Sequence, residues 1–233
     1  MMKDYPRISG NGNDFLRPAF SAALNELDLV TNDPAPLTVA RENKFLHELG
    51  FGEWDYQEAF VENLKNAYAA HYVQALKSYL VNLDINLQRG TCLTFRGING
   101  GGKTNGMATI VREIMRRKFD PTLGYDGRVK IPMFYTTATE MAEHAATHDL
   151  GKNNIYNVIR LLIIDDLGRL TELRSSAFSH IISERSKQMG KPFFITTALS
   201  DRELGERYQH VYSRLRTGLT VVTNDKDLRC LRK

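Results

Sequence analysis

Cysteine is scarce in this chain, with Cys92 and Cys230 the two thiols among 233 residues. A zinc site needs more ligands at closer spacing, so the pair reads as buried or incidental thiols of a reducing compartment. Also missing is any apolar run long enough to span a bilayer, and Met1-Met2-Lys3-Asp4-Tyr5-Pro6 has none of the apolar core of a secretory signal. No membrane association is expected, and a cytoplasmic location is. A strong charge bias is lacking too: 31 basic residues face 27 acidic ones, for a formal net charge of +4. So mild an excess is compatible with nucleic acid without arguing for it. No internal repeat is visible. What remains, 42% hydrophobic and 25% charged residues, is the balance of a soluble globular protein. The length holds one α/β domain and a smaller appendage.

The most specific pattern present is Gly97-Ile98-Asn99-Gly100-Gly101-Gly102-Lys103-Thr104, a complete G-x-x-x-x-G-K-T phosphate loop. Its glycines let successive backbone N–H groups curl around phosphate oxygens with no Cβ in the way. Lys103 then reaches the outer phosphates, and the Thr104 hydroxyl is placed to ligate Mg²⁺. A helix starting at about Thr104 points its positive end at the same anion. The flanks agree, because 91–95 reads as a short buried strand and 107–115 as a helix with one apolar stripe.

Residues 1–14 are polar, Pro18–Leu29 reads as a helix, and Thr31–Pro36 is a breaker cluster. A second helix is expected from a Thr38 cap to Leu49, stopped by Gly50. These observations divide the chain into an N-terminal extension, residues 1–50, and a phosphate-loop domain, residues 51–233. From Asp55 to Asn82 one long helical pattern places Phe60, Leu64, Tyr68, Tyr72, Leu76 and Leu80 four apart, a stripe expected to pack on the sheet. Further strands are read at 129–135, with Pro132 marking an edge, at 160–165, at 193–197 and at 219–223. Helices are read between them at 138–146, 172–188 and 201–215. Alternating apolar strands and helices predict an α/β fold with a central parallel sheet covered on both faces.

The strand Leu161–Ile164 ends in Asp165-Asp166. A parallel strand delivers its ligands at its carboxyl end, beside the phosphate loop, so Asp165 is expected to hold Mg²⁺ through water and Asp166 to polarise the attacking water. Thr196-Thr197 ends the next strand and offers a polar contact to the γ-phosphate or that water. Arg214 and Arg216 flank Leu215 near a helix end; in an oligomeric ATPase such an arginine enters the neighbour's site. His144 and His148 have metal-pair spacing but no third ligand, and read as exposed residues. Trp54, Tyr56 and Phe60 are candidates for an adenine pocket, with core packing as the alternative.

From about residue 85 onward the chain resembles the AAA+ domain of helicase loaders of the DnaC/DnaI type and of the related IstB transposition helpers. The residues that carry the resemblance are 97–104, 161–168, 191–197, 212–216 and 224–229. It implies a P-loop NTPase of AAA+ type with ATP and Mg²⁺ as cofactors. Arg214 matches the arginine finger, with Arg216 as fallback, Arg229 matches the sensor-II arginine, and Thr197 lies at or beside sensor I. About ten residues follow the last strand, too short for a full helical lid, as in loaders. The implied function is a slow ATP switch that loads a hexameric replicative helicase onto DNA. Its partners would be the helicase, single-stranded DNA and further copies of this chain; help to a transposase is the alternative reading. A small-molecule kinase built on the same loop is a third. Asn99 and Gly101 stand where the family usually has Pro and Thr or Val, Asp166 where many members have Glu, and the sensor-I region lacks the usual Asn. The glycine run is expected to loosen the loop and slow turnover. The N-terminal third matches poorly; Pro18–Leu29 is the candidate helicase contact. The resemblance also points to residues 138–160, with Lys152 and Arg160, for single-stranded DNA.

Overall fold

The computed structural model describes residues 37–120, 128–129, 131–147, 154–168, 170–188 and 190–228. Within them β1 (Leu93–Arg96), β4 (Met133–Thr137), β5 (Leu161–Leu167), β6 (Phe193–Thr197) and β7 (Leu219–Val222) form one parallel sheet in the order β4-β5-β6-β1-β7. Two short strands, β2 (Phe119–Asp120) and β3 (Arg128–Val129), pair antiparallel beside it. The strand expected at 129–135 is therefore displaced. Pro132 precedes β4 and gives its carbonyl to Leu161 N–H, and β4 is an edge strand, where a residue without N–H is tolerated.

Alternation along the strands sorts the core into two layers. Leu93, Phe95, Leu161, Ile163, Phe194 and Val221 face the helix Lys103–Lys118 and the helices of residues 39–89. Leu162, Ile164, Phe193 and Ile195 face helices Ala138–Thr147, Glu172–Ser186, Asp201–Arg207 and Gln209–Leu215. The phosphate-loop helix shows more than one apolar stripe. Residues 39–67 lie over its outer side, so Thr109 and Arg112 are buried along with Met107, Ile110, Val111 and Ile114.

That cover is fastened by charge. Arg116 grips Glu42 with two hydrogen bonds of 2.6 and 2.9 Å. Fully buried Arg112 lies 3.7 Å from Glu42, bonds Tyr56 O at 2.8 Å and stacks 4.3 Å above Phe60. Helix Val39–Leu49, capped by Thr38 and closed by Gly50 as expected, also buries Leu46 in this layer. The expected boundary at residue 50 thus falls inside a packed unit. The helix Pro18–Leu29 lies outside the described residues.

Two expected helices are broken. The 55–82 pattern resolves into Glu53–Tyr56, a short 3-10 turn at Val61–Asn63, Leu64–Ala67 and Ala70–Val81. Tyr68 turns extended (φ −130°, ψ 145°), bridges Thr223 antiparallel and gives its hydroxyl to Gly102 O at 3.2 Å. A contact with the distant phosphate loop outweighs helix continuity. The 201–215 helix breaks at Tyr208 (φ −132°, ψ 45°), whose hydroxyl bonds Gly168 O at 2.9 Å.

In the second layer Arg185 is fully buried and donates to four carbonyls, those of Tyr156, Ile159, Arg160 and Pro192, at 2.7–2.9 Å. Burial lowers its pKa to about 10, so it stays charged at neutral pH. Buried Cys92 has its thiol pushed up to about 11 by desolvation, as an inert core cysteine. Replacing Arg185 by Met leaves four buried acceptors unmet and is expected to lower unfolding free energy by at least about 3 kcal/mol in denaturant titrations. Arg185→Lys, with one compact donor group, is expected to recover only part.

Candidate nucleotide site

The phosphate loop leaves the carboxyl end of β1 and runs into the Lys103–Lys118 helix. Gly97, Gly100 and Gly102 have φ of 151°, 77° and 88°, values that side-chain-bearing residues rarely adopt. Gly101 is required for a different reason. A Cβ there would lie 2.7 Å from Thr223 Oγ1 and 3.1 Å from Ile98 O. The glycine run is thus filled by neighbours, and the loop is tied at two more points, by Tyr68 at Gly102 and by Leu228 N–H at Gly100 O (2.9 Å). Ile98 and Asn99 are exposed at its tip. Lys103 is buried and lays its Nζ on Gly97 O at 3.0 Å and Ile98 O at 2.9 Å, at the loop's own carbonyls.

Asp165 joins this loop to the sheet. Thr104 Oγ1 lies 3.2 and 3.3 Å from its two carboxylate oxygens, Tyr135 donates its hydroxyl to Oδ2 at 2.8 Å, and Thr196 donates to Oδ1. Burial, reinforced by the adjacent Asp165 charge, pushes the Tyr135 phenol far above its ordinary range, so it remains a donor. Asp166 follows at a bulge where the β5–β6 register shifts between Ile164 and Leu167. Its φ of 55° is the single positive value among described non-glycine residues, strain that Asp tolerates better than most. The bulge leaves its side chain exposed while its N–H bonds Thr196 Oγ1 at 2.8 Å.

Thr196 therefore links both acids, and of the Thr196-Thr197 pair it is the one on the Asp165 face. Thr197 is fully buried on the other face, donating to Leu167 O at 2.7 Å and accepting from Leu199 N–H at 3.0 Å. Strand parity would have found this. Phe194 packs in the phosphate-loop layer, so Thr196 points the same way, as do Asp165 after Ile163 and Tyr135 after Met133.

Arg214 does not meet its own loop in the described contacts. It is exposed one turn before Gly218, which packs on Cys92 at the amino end of β1, whereas the phosphate loop leaves the carboxyl end. Arg216, also exposed, lies 5.9 Å above the Tyr212 ring. Arg229 lies outside the described residues; Leu228, the last described, is already at Gly100. Arg96, at the end of β1, pairs with Asp201 and holds that carboxyl below its ordinary range.

Of the aromatic candidates, Tyr56 is buried, Phe60 lies under Arg112 and Arg116, and Trp54 is 75% exposed. His144 is half-buried against the Tyr156 hydroxyl at 3.1 Å, and His148 and Lys152 lie outside the described residues. Arg160 is exposed. No group of three His, Cys, Asp or Glu able to hold a metal occurs among the described residues. The hydroxyl of Thr104 beside a carboxylate is instead the hard-oxygen pair that suits Mg²⁺ alongside phosphate oxygens.

No protein-family profile matches the chain, and no curated protein sequence does. Solved structures match in fold. The replication initiator DnaA bound to AMPPCP and single-stranded DNA aligns at a TM-score of 0.51 and 19% identity, over 72% of this chain and 50% of that one. Domain III of the Thermotoga maritima replication initiation protein DnaA aligns at 0.51 and 14% identity, over 72% and 68%. A DnaI structure aligns at 0.49 and 17% identity, over 66% of this chain and 81% of its own. The chain thus spans half the length of the nucleotide- and DNA-bound DnaA chain. The five-stranded parallel sheet, with the phosphate loop on one strand and the acid pair two strands away, is the AAA+ P-loop NTPase fold.

The Gly101–Thr223 contact is open to a direct check. Gly101→Ala is expected to destabilise the protein by about 1–3 kcal/mol through overpacking. Thr223→Ala should recover part of that loss in the double variant, since the buried Thr223 hydroxyl has no hydrogen-bond partner among the described residues. Thermal unfolding of the three variants reads the coupling.

Proposed function

We propose that the chain is an ATP-dependent DNA replication protein that binds a hexameric replicative helicase and loads it onto DNA. The observation that carries the nucleotide part is the Thr104–Asp165 contact at the mouth of a glycine cradle. The replication part is supported by the fold shared with DnaA, one structure of which is described as bound to AMPPCP and single-stranded DNA.

In this reading the backbone N–H groups of 97–103 and the Lys103 ammonium cradle the phosphates, and Thr104 and Asp165 hold Mg²⁺. The ion, when bound, neutralises charge on the phosphate oxygens. Asp166, exposed at the bulge, accepts a hydrogen bond from the attacking water and orients it for in-line displacement. Thr196 keeps the two acids in register. Arg214, set towards the other end of β1, serves the nucleotide of a neighbouring subunit, which makes turnover depend on assembly. Arg229, next to the Leu228–Gly100 contact, is assigned to the nucleotide of its own subunit. Such a protein needs nucleotide state more than flux, and slow hydrolysis would time its release from helicase and DNA.

Lys103→Ala is expected to abolish ATP binding by calorimetry and, with it, ATP-dependent capture of the helicase of the protein's own replicon in a pull-down. Wild-type protein that binds neither ATP nor that helicase would overturn the proposal; recovery of a transposase instead would reassign the partner. Arg214→Ala is expected to bind ATP normally yet lose roughly 10³-fold in turnover of the assembled protein. Mixing it with a Lys103→Ala variant should restore part of the rate, because intact loops and intact fingers then meet across the interface.

A further inference from the structure

Tyr135 reaches the nucleotide site from an edge strand that carries none of the motif residues. Its hydroxyl donates to Asp165 Oδ2 at 2.8 Å, while Thr196 occupies Oδ1. A carboxylate turns easily about its Cβ–Cγ bond, a broad torsion with no sharp minima. One donor on each oxygen, from strands on either side of β5, fixes the plane of the group. Thr104 then lies nearly equidistant from both oxygens.

The ring of Tyr135 is fixed as well, from the N-terminal side. Phe51 packs against it with ring centroids 4.8 Å apart. Gly50 sits so close that a Cβ there would lie 2.7 Å from Tyr135 Cδ1, and its φ of 118° closes the Val39–Leu49 helix at that point. On the same side Asn105, next to Thr104, donates to Asp55 O at 2.9 Å. The end of one N-terminal helix and the next short helix thus touch the neighbours of both members of the Thr104–Asp165 pair, Tyr135 beside Asp165 and Asn105 beside Thr104.

We propose that Tyr135 is a positioning residue, its phenol holding the Asp165 carboxylate in the orientation that accepts a divalent cation beside Thr104, with Gly50 and Phe51 setting the phenol. The inference rests on the ATP-binding reading above. Donors that bond a metal-ligating carboxylate orient it while making no contact with the ion, and their loss weakens metal binding by about 10–100-fold. The N-terminal helix thereby becomes a determinant of how the site meets its cation.

The test is binding of a non-hydrolysable ATP analogue to the full chain, titrated with Mg²⁺ and repeated in EDTA. Tyr135→Phe keeps the ring on Phe51 and Gly50 and is expected to raise the Mg²⁺ concentration for half-maximal tightening about tenfold. Its affinity in EDTA should match wild type, and its melting temperature should fall by no more than the loss of one hydrogen bond to a carboxylate entails. Phe51→Leu is expected to shift the Mg²⁺ requirement the same way by a smaller factor. An unchanged Mg²⁺ requirement in Tyr135→Phe overturns the inference and leaves the nucleotide reading standing, as does an equal loss of affinity in EDTA. Wild-type protein that binds no analogue, matching Lys103→Ala, overturns both.

Discussion

A carboxylate brought to the carboxyl end of a parallel strand, half out of water, has to be met by donors, and at Asp165 three hydroxyls meet it. Each comes from a different segment: Thr104 from the start of the phosphate-loop helix, Tyr135 from the edge strand, Thr196 from the strand between β5 and β1. The group therefore fastens the loop to the sheet and gathers the residues proposed above to meet a triphosphate and its cation. It also orders Asp166, whose backbone N–H is captured by the same Thr196 hydroxyl while its side chain is turned outward. One charge organises both acids.

The phosphate loop is held from outside with equal economy of parts. Tyr68, from the N-terminal half, bonds Gly102 O, and Leu228, near the end of the chain, bonds Gly100 O. Thr223 fills the space that side chains at Gly97 and Gly101 would need. A run of three glycines in isolation would be slack, because each residue without Cβ has more conformations to lose. Here the neighbours use the room. The helix behind the loop is likewise enclosed, by the sheet on one side and by Glu42, Tyr56 and Phe60 around Arg112 and Arg116 on the other. Movement of the N-terminal helices would therefore be felt at the loop, and the converse holds by the same contacts.

Much of this was legible without coordinates where the signal is local. The loop motif, the cap at Thr38, the stop at Gly50 and the five parallel strands follow from turn chemistry, missing Cβ atoms and short apolar runs. The misreadings share one cause. Tyr68 continues a four-residue stripe perfectly well, yet it leaves the helix to pair with Thr223, 155 residues further along the chain. Thr196 and Thr197 are equal in composition and strand propensity; parity alone separates them, and it needs Phe194 assigned to a layer first. Tyr135 reads as one more aromatic strand residue until Asp165 is seen beside it.

The sequence by itself determined that a phosphate-binding turn follows a buried strand, that a pair of acids ends another, and that the sheet between them is parallel. Those are consequences of backbone freedom at glycine and of short continuous apolar runs alternating with helices, signals carried by local stretches of chain. Only the tertiary structure decided which hydroxyls satisfy Asp165, where the long N-terminal pattern breaks, and that the Gly50–Phe51 turn leans on Tyr135. Those outcomes depend on segments far apart in the chain competing for the same donors and the same volume, and that competition is resolved only when the layers close.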